Sequence, residues 1–84
     1  MNQLSNLFTY TECRHSIIPP EVIFRDVTLF EDLITHKNGT FKKGTEFYEV
    51  YFNILDLKME FLQDYPHGIF PVAEITVKIE KEDR

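Results

Sequence analysis

Hydrophobic and polar positions alternate in short runs along most of this chain, and helical spacing is rare. The run Ile75-Thr76-Val77-Lys78-Ile79-Glu80 alternates most cleanly, which predicts a half-buried strand, because successive strand residues point to opposite sides. Glu46-Phe47-Tyr48-Glu49-Val50-Tyr51-Phe52-Asn53-Ile54 predicts the strongest strand. Period-two spacing there places Tyr48, Val50, Phe52 and Ile54 on the core face and Phe47, Glu49 and Tyr51 on the outer face. Residues 22–30, rich in β-branched and aromatic side chains, predict another strand, with Val27 and Leu29 on one face and a bulge or interruption near Arg25-Asp26. Leu57-Lys58-Met59-Glu60-Phe61-Leu62 reads as a hairpin partner across a tight turn at Leu55-Asp56. A helix over residues 53–65 is the competing reading, since Ile54, Leu57, Phe61 and Leu62 also fit helical spacing.

Punctuation between these runs divides the chain. Pro19-Pro20 ends a weakly patterned arm at residues 1–20, because proline fixes its torsion and donates no hydrogen bond. Within the arm, Leu7-Phe8-Thr9-Tyr10-Thr11-Glu12 has β-forming residues, so the arm is either flexible or an edge strand. The body spans residues 21–80. Its link at 31–45 carries two turn signals, Lys37-Asn38-Gly39 and Lys43-Gly44, and Asp64-Tyr65-Pro66-His67-Gly68 is a loop. Val72-Ala73-Glu74 is read as a single helical turn before the last strand, and residues 81–84 as a solvated tail. Four or five short strands in about sixty residues imply a small all-β barrel, closed or nearly so, since an open sheet of this size leaves long edges unpaired.

The order DVTLFEDL, a turn-bearing link, FKKGTEFYEVYF, a short LKMEF strand and IFPVAEITVKI resembles an SH3-like barrel. It is similar especially to small bacterial domains of unknown function in which such a strand is followed by a Lys-Lys-Gly step. The resemblance covers residues 22–80. It implies a five-stranded, strongly bent barrel with a long loop at 31–44 and one helical turn at 71–74. Two departures limit what it implies about function. The chain has no tryptophan, which argues against a groove for proline helices. Between Gly44 and Val77, Glu46, Glu49, Asp56, Glu60, Asp64 and Glu74 face Lys58 alone, which argues against nucleic acid. The fold hosts many unrelated functions.

Composition sharpens these limits. Fourteen acidic against nine basic residues give a formal charge of −5 over 84 residues, so a phosphate backbone is repelled unless the cations gather on one face. One domain is expected from the length. The single Cys13 forms no internal disulfide and suits a reducing cytoplasm. No leader and no apolar run of membrane-spanning length is legible.

Candidate chemistry is sparse. Cys13, His15, His36 and His67 lie at spacings unlike a zinc site, and nothing in the arm orients His15 against the Cys13 sulfur. The carboxylate pairs Glu31-Asp32, Glu46 with Glu49, and Glu82-Asp83 read as solvated surface rather than as general acids, which need a cleft. Lys42-Lys43-Gly44-Thr45 lacks the upstream glycine and the strand-to-helix context of a phosphate loop. With Lys37 these lysines form a patch too small for tight polyanion binding. No catalytic residue, metal or cofactor is expected. Aromatics beside carboxylates remain: Phe47, Glu49, Tyr51, Glu60, Asp64, Tyr65, His67 and Phe70. Rings bury large area at small entropic cost and carboxylates select a basic partner. The expected function is a non-enzymatic, cytoplasmic protein-interaction module that binds a basic protein, as an inhibitor or accessory subunit, a nucleic-acid-mimicking inhibitor from a mobile element included. The alternative is a homo-oligomeric accessory domain assembled through its arm.

Overall fold

The period-two runs become strands, and every neighbouring pair of them is antiparallel. The computed structural model describes residues 7–77; the tail at 81–84, the first six arm residues and the end of the strand expected at 75–80 lie outside the described residues. The elements are β1 (Phe8–Thr9), β2 (Glu12–Ser16), β3 (Glu21–Leu29), β4 (Leu33–Ile34), β5 (Thr40–Phe41), β6 (Glu46–Asn53), β7 (Lys58–Tyr65) and β8 (Gly68–Thr76). The main sheet runs β1-β3-β6-β7-β8, with β2 also on β3, while β4 and β5 form a separate hairpin. Among the described residues there is no helix.

Three sequence expectations resolve here. The arm takes its edge-strand form: Phe8 pairs with Leu29, Glu12 with Arg25 and Ser16 with Glu21, all on one register. Residues 53–65 form the hairpin and not the helix, with Asn53 Oδ1 accepting from the Asp56 N–H at 2.9 Å to hold the turn. Residues 71–74 are not a helical turn. They belong to β8, where Phe61 pairs with Ala73 and Leu62 with Pro71, leaving Val72 as the extra residue of a bulge. Pro71 fits that place because β8 is an edge strand that needs no donor there.

Among the described residues the sheet is not closed into a barrel: β8 forms no ladder with β1 or β2. It is nonetheless curled. In a flat sheet three strand spacings would separate β1 from β7 by roughly 14 Å, yet the Phe8 and Phe61 rings lie 6.3 Å apart, edge to face. Phe8 also meets Phe24 at 5.1 Å, and Phe61 meets Phe47 at 5.0 Å. The inward rows are Phe24-Val50-Phe61-Ala73 and Val22-Phe52-Met59-Ile75. The β4–β5 hairpin covers the open side: Leu33 is buried, and Phe41 lies 5.6 Å from Phe47. The hairpin reaches the β8 edge through Asn38 Oδ1, which accepts from the Glu74 N–H at 3.2 Å. The expected turns at Gly39 and Gly44 both form with positive φ, 83° and 92°.

The inward face changes phase partway along β3 and β6. On β3, Val22 and Phe24 point inward, and then Val27 and Leu29 do; Arg25 and Asp26 both stay out. On β6, Phe52 and Val50 point inward, then Phe47, with Tyr48 and Glu49 between them. Because both strands carry the extra residue, the register is the same on either side, Arg25 opposite Glu49 and Val27 opposite Phe47. Asp26 takes the left-handed conformation, φ 55°, which Asp tolerates better than most residues. Its carboxylate accepts from the Thr11 hydroxyl at 2.9 Å.

This switch corrects the faces expected from simple alternation. Phe47 lies in the core at 2% exposure rather than on the outer face. Tyr48 is half-buried beside Arg25 and not in the core, and Ile54 sits exposed in the β6–β7 turn. Phe47→Ala is therefore expected to cost about 3–5 kcal/mol, a large part of the ~4–13 kcal/mol available to a chain of this size. Phe70→Ala, on the β7–β8 hairpin, should cost less than about 1.5 kcal/mol. Urea denaturation of the two variants measures the contrast.

Candidate functional site

The outer face of the sheet is ordered by the cross-strand register. One row runs Arg14-Ile23-Tyr51-Glu60-Glu74, and the next runs Ser16-Glu21-Asn53-Lys58-Thr76. Together they place Glu21, Glu60 and Glu74 around the half-buried Tyr51 ring, and Asp56 joins them from the β6–β7 turn. These residues, with Asn53 and Lys58, line a shallow groove of about 270 Å³. Among the described residues four carboxylates thus share the groove with one lysine. Lys58 Nζ lies 3.6 Å from Glu74 Oε2, and among the described residues Glu21, Asp56 and Glu60 form no ion pair. Glu60 stands directly opposite Glu74, a like-charge arrangement that weakens a sheet.

Beside the groove, Glu49 keeps to the outer side with Arg25 but is covered there, at 6% exposure. Its Oε2 accepts from Arg25 Nε at 3.2 Å and from Arg25 Nη2 at 2.8 Å. Glu12 flanks the same guanidinium at 3.8 Å, and the Tyr48 ring lies 5.8 Å from it. The hydrogen bond to Glu49 raises the Arg25 pKa further, against a smaller effect of burial. Glu49 is therefore engaged in holding the sheet and is not free for a partner.

The eight residues expected to form one patch separate into distinct places. Tyr51 and Glu60 come together as a register pair on the outer face. Phe47 is core and Glu49 is ion-paired. Asp64 lines a second groove, about 450 Å³, with Asp26, Glu46 and Tyr48. Tyr65 and Phe70 meet at 6.2 Å on the β7–β8 hairpin, and His67 sits exposed in its turn. Glu60 and Tyr65 lie five positions apart on one strand, roughly 17 Å. Alternation alone missed Glu21, Asp56 and Glu74; pairing the strands in register finds Glu21 and Glu74, because both fall in the rows that cross Tyr51 or Asn53.

Other sites expected to be inert are distributed as follows. Cys13 and His15 are on β2, His36 is near the β4–β5 turn and His67 is in the β7–β8 turn; among the described residues no three His, Cys, Asp or Glu side chains group as metal ligands. Burial raises the Cys13 pKa, so its thiol is less ionised at neutral pH than a free one. Lys42 and Lys43 are exposed beside the tight turn at Gly44. A larger groove, about 470 Å³, separates the β4–β5 hairpin from β8 and is lined by Ile34, His36, Lys37, Lys58 and Glu74. No helix among the described residues is long and apolar enough to cross a membrane.

The pH response of the groove centres on Tyr51. Burial pushes its phenol above the ordinary value of about 10; the Glu49 and Glu21 carboxylates add to the rise and Arg25 opposes it. A phenol whose pKa is higher folded than unfolded holds its proton more tightly in the native state. Its contribution to stability is complete below about pH 10 and is lost as pH rises from there through the folded value. The melting temperature should fall as pH rises above about 10, and Tyr51→Phe should flatten part of that fall. Thermal melts of the two proteins across this range check it.

No family model matches this chain, and neither a curated protein nor a solved structure matches it.

Proposed function

We propose that this protein is a non-enzymatic interaction module whose acidic outer face binds a basic protein. The observation that carries this reading is the groove around Tyr51, where Glu21, Asp56, Glu60 and Glu74 outnumber Lys58 and Glu60 faces Glu74 across the β7–β8 ladder. Like charges held opposite one another oppose folding, and a cationic partner turns that cost into binding energy. A lysine or arginine side chain entering the groove would meet carboxylates on its sides and the Tyr51 ring beneath, a setting that attracts cations through both charge and ring quadrupole.

The reading narrows the expected patch to the row through Tyr51 and Glu60 and the row beside it through Glu21 and Lys58, and drops Phe47 and Glu49 as contact residues. Asp64, Tyr65, His67 and Phe70, at the far hairpin, form a second area that a large partner would reach. An acidic surface of this kind suits an inhibitor or accessory subunit, including one that presents carboxylates where its target expects phosphates. The reading assigns no metal, cofactor or catalytic group. It places the protein in the cytoplasm, where Cys13 stays reduced.

Capture from native lysate with mass spectrometry of the retained proteins tests it. The retained partner should be basic, and its affinity should drop as salt rises. Glu21→Lys with Glu60→Lys should abolish capture, and Tyr51→Ala should weaken it by about tenfold or more, with folding confirmed by a cooperative melt. Retention that survives both charge reversals would assign binding to another face.

A further inference from the structure

Residues 17–20, Ile-Ile-Pro-Pro, join β2 to β3. Ile17 is 86% exposed and Ile18 90%, the highest values among the exposed large apolar side chains. This connection reverses the chain between β2 and β3, and Pro19 and Pro20 bring no backbone N–H donor to it. The arm carried by this connection is separable from the rest. Among the described residues, β1 and β2 pair only with β3, and Phe8, at 2% exposure, is the arm's one buried apolar side chain. Any second copy of the chain offers the same β3 edge and the same socket for Phe8.

The arm register adds a geometric observation. Phe8 opposite Leu29, Glu12 opposite Arg25 and Ser16 opposite Glu21 lie on a single register without a shift. Continued through the connection between two chains, it sets Ile17 of one copy opposite Pro20 of the other, and Ile18 opposite Pro19. That register is symmetric about the Ile18-Pro19 bond, as a two-fold, isologous interface requires.

We propose that the chain assembles as an arm-exchanged dimer. Residues 17–20 straighten, each arm lies along β3 of the second copy with Phe8 in that copy's core, and the two connecting segments run antiparallel across the two-fold axis, covering Ile17 and Ile18. Each contact of the closed arm is re-formed between chains, so packing is unchanged. Apolar contact between the connecting segments, which sets Ile17 and Ile18 of one copy against Pro20 and Pro19 of the other, offsets the entropy of association. The acidic groove around Tyr51 stays on the outer surface of both copies.

Two single-cysteine proteins on a Cys13→Ser background, Arg14→Cys and Ile23→Cys, test the exchange. Arg14 and Ile23 are directly opposed across β2 and β3, and opposed antiparallel positions lie about 4.5–5.5 Å apart, within disulfide reach. Equal amounts of the two proteins are unfolded, refolded together at high concentration, oxidised and separated on a denaturing, non-reducing gel. Exchange yields a covalent heterodimer well above the level from either protein oxidised alone. The double variant in one chain, refolded at high dilution, gives the closed, intrachain product for comparison. Light scattering on the unaltered chain should report a dimer, and Ile18→Ser, at a position exposed in the closed form, should weaken it by about tenfold or more. A monomeric unaltered chain overturns the proposal, because Ile17 and Ile18 are then left to another protein or a lipid surface. A dimer whose opposed cysteines join only within one chain overturns it as well.

Discussion

The phase change shared by β3 and β6 at Arg25-Asp26 and Tyr48-Glu49 fixes which side chains are inside this protein and which are outside. A single sheet of this length twists and curls, and strict alternation along it would turn either Phe24 and Val50 or Val27 and Phe47 away from the core. One extra residue on each strand keeps all four inward while leaving the register intact. The strain falls on Asp26, whose φ of 55° is supported by the Thr11 hydroxyl from the arm. The ring cluster of Phe8, Phe24, Phe47 and Phe61 depends on this one local event.

The same event places Arg25 and Glu49 opposite each other beneath Tyr48. Burying a carboxylate is costly unless its lone pairs are met, and Glu49 meets two guanidinium N–H groups from one residue. Among the described residues no buried side-chain nitrogen or oxygen lacks a partner. A buried ion pair is weak evidence for added stability. Its clearer role is to penalise a slip of register: moving β3 by one residue against β6 would bury Glu49 without Arg25 and turn the whole inward row outward. In an open sheet with few strands, that penalty helps specify one structure.

Much of this architecture is legible in the sequence. The strands at 21–29, 46–53 and 58–65, the turns at Gly39, Gly44 and Asp56, and the irregularity near Arg25-Asp26 follow from local chemistry: β-branched runs, glycines with positive φ and an Asn side chain that closes a turn. The faces of β6 do not follow, because Glu49 is the one charged residue between Phe47 and Phe52, and strict alternation counted from it sends Phe47 and Tyr51 outward together. Closure into a barrel was inferred from the disadvantage of open edges. The protein answers that disadvantage differently, with Pro71 and the Val72 bulge on β8, the Asn38 cap on the Glu74 N–H, and the arm on β3. Of the candidate site, Tyr51 and Glu60 were legible; Glu21 and Glu74 become neighbours only once the strands are paired.

The outer face is where local rules are broken without a folding gain. Sheet stability favours opposite charges across a ladder, and Arg25 with Glu49 and Lys58 with Glu74 show that this chain uses them. One row further on, Glu60 faces Glu74 and neighbours Tyr51. A lysine at position 60 would suit the fold better, since it would pair with Glu74 and offset the excess of negative charge. Departures of this kind are expected at surfaces kept for binding, where the side chain is chosen for a partner and the fold bears the repulsion. An exchanged arm would not relieve that repulsion, because the β7–β8 edge takes no part in it. In the two proposals the surfaces answer to different constraints: the Ile17-Ile18 segment to the pairing of the arm, and the groove around Tyr51 to the charge of a partner.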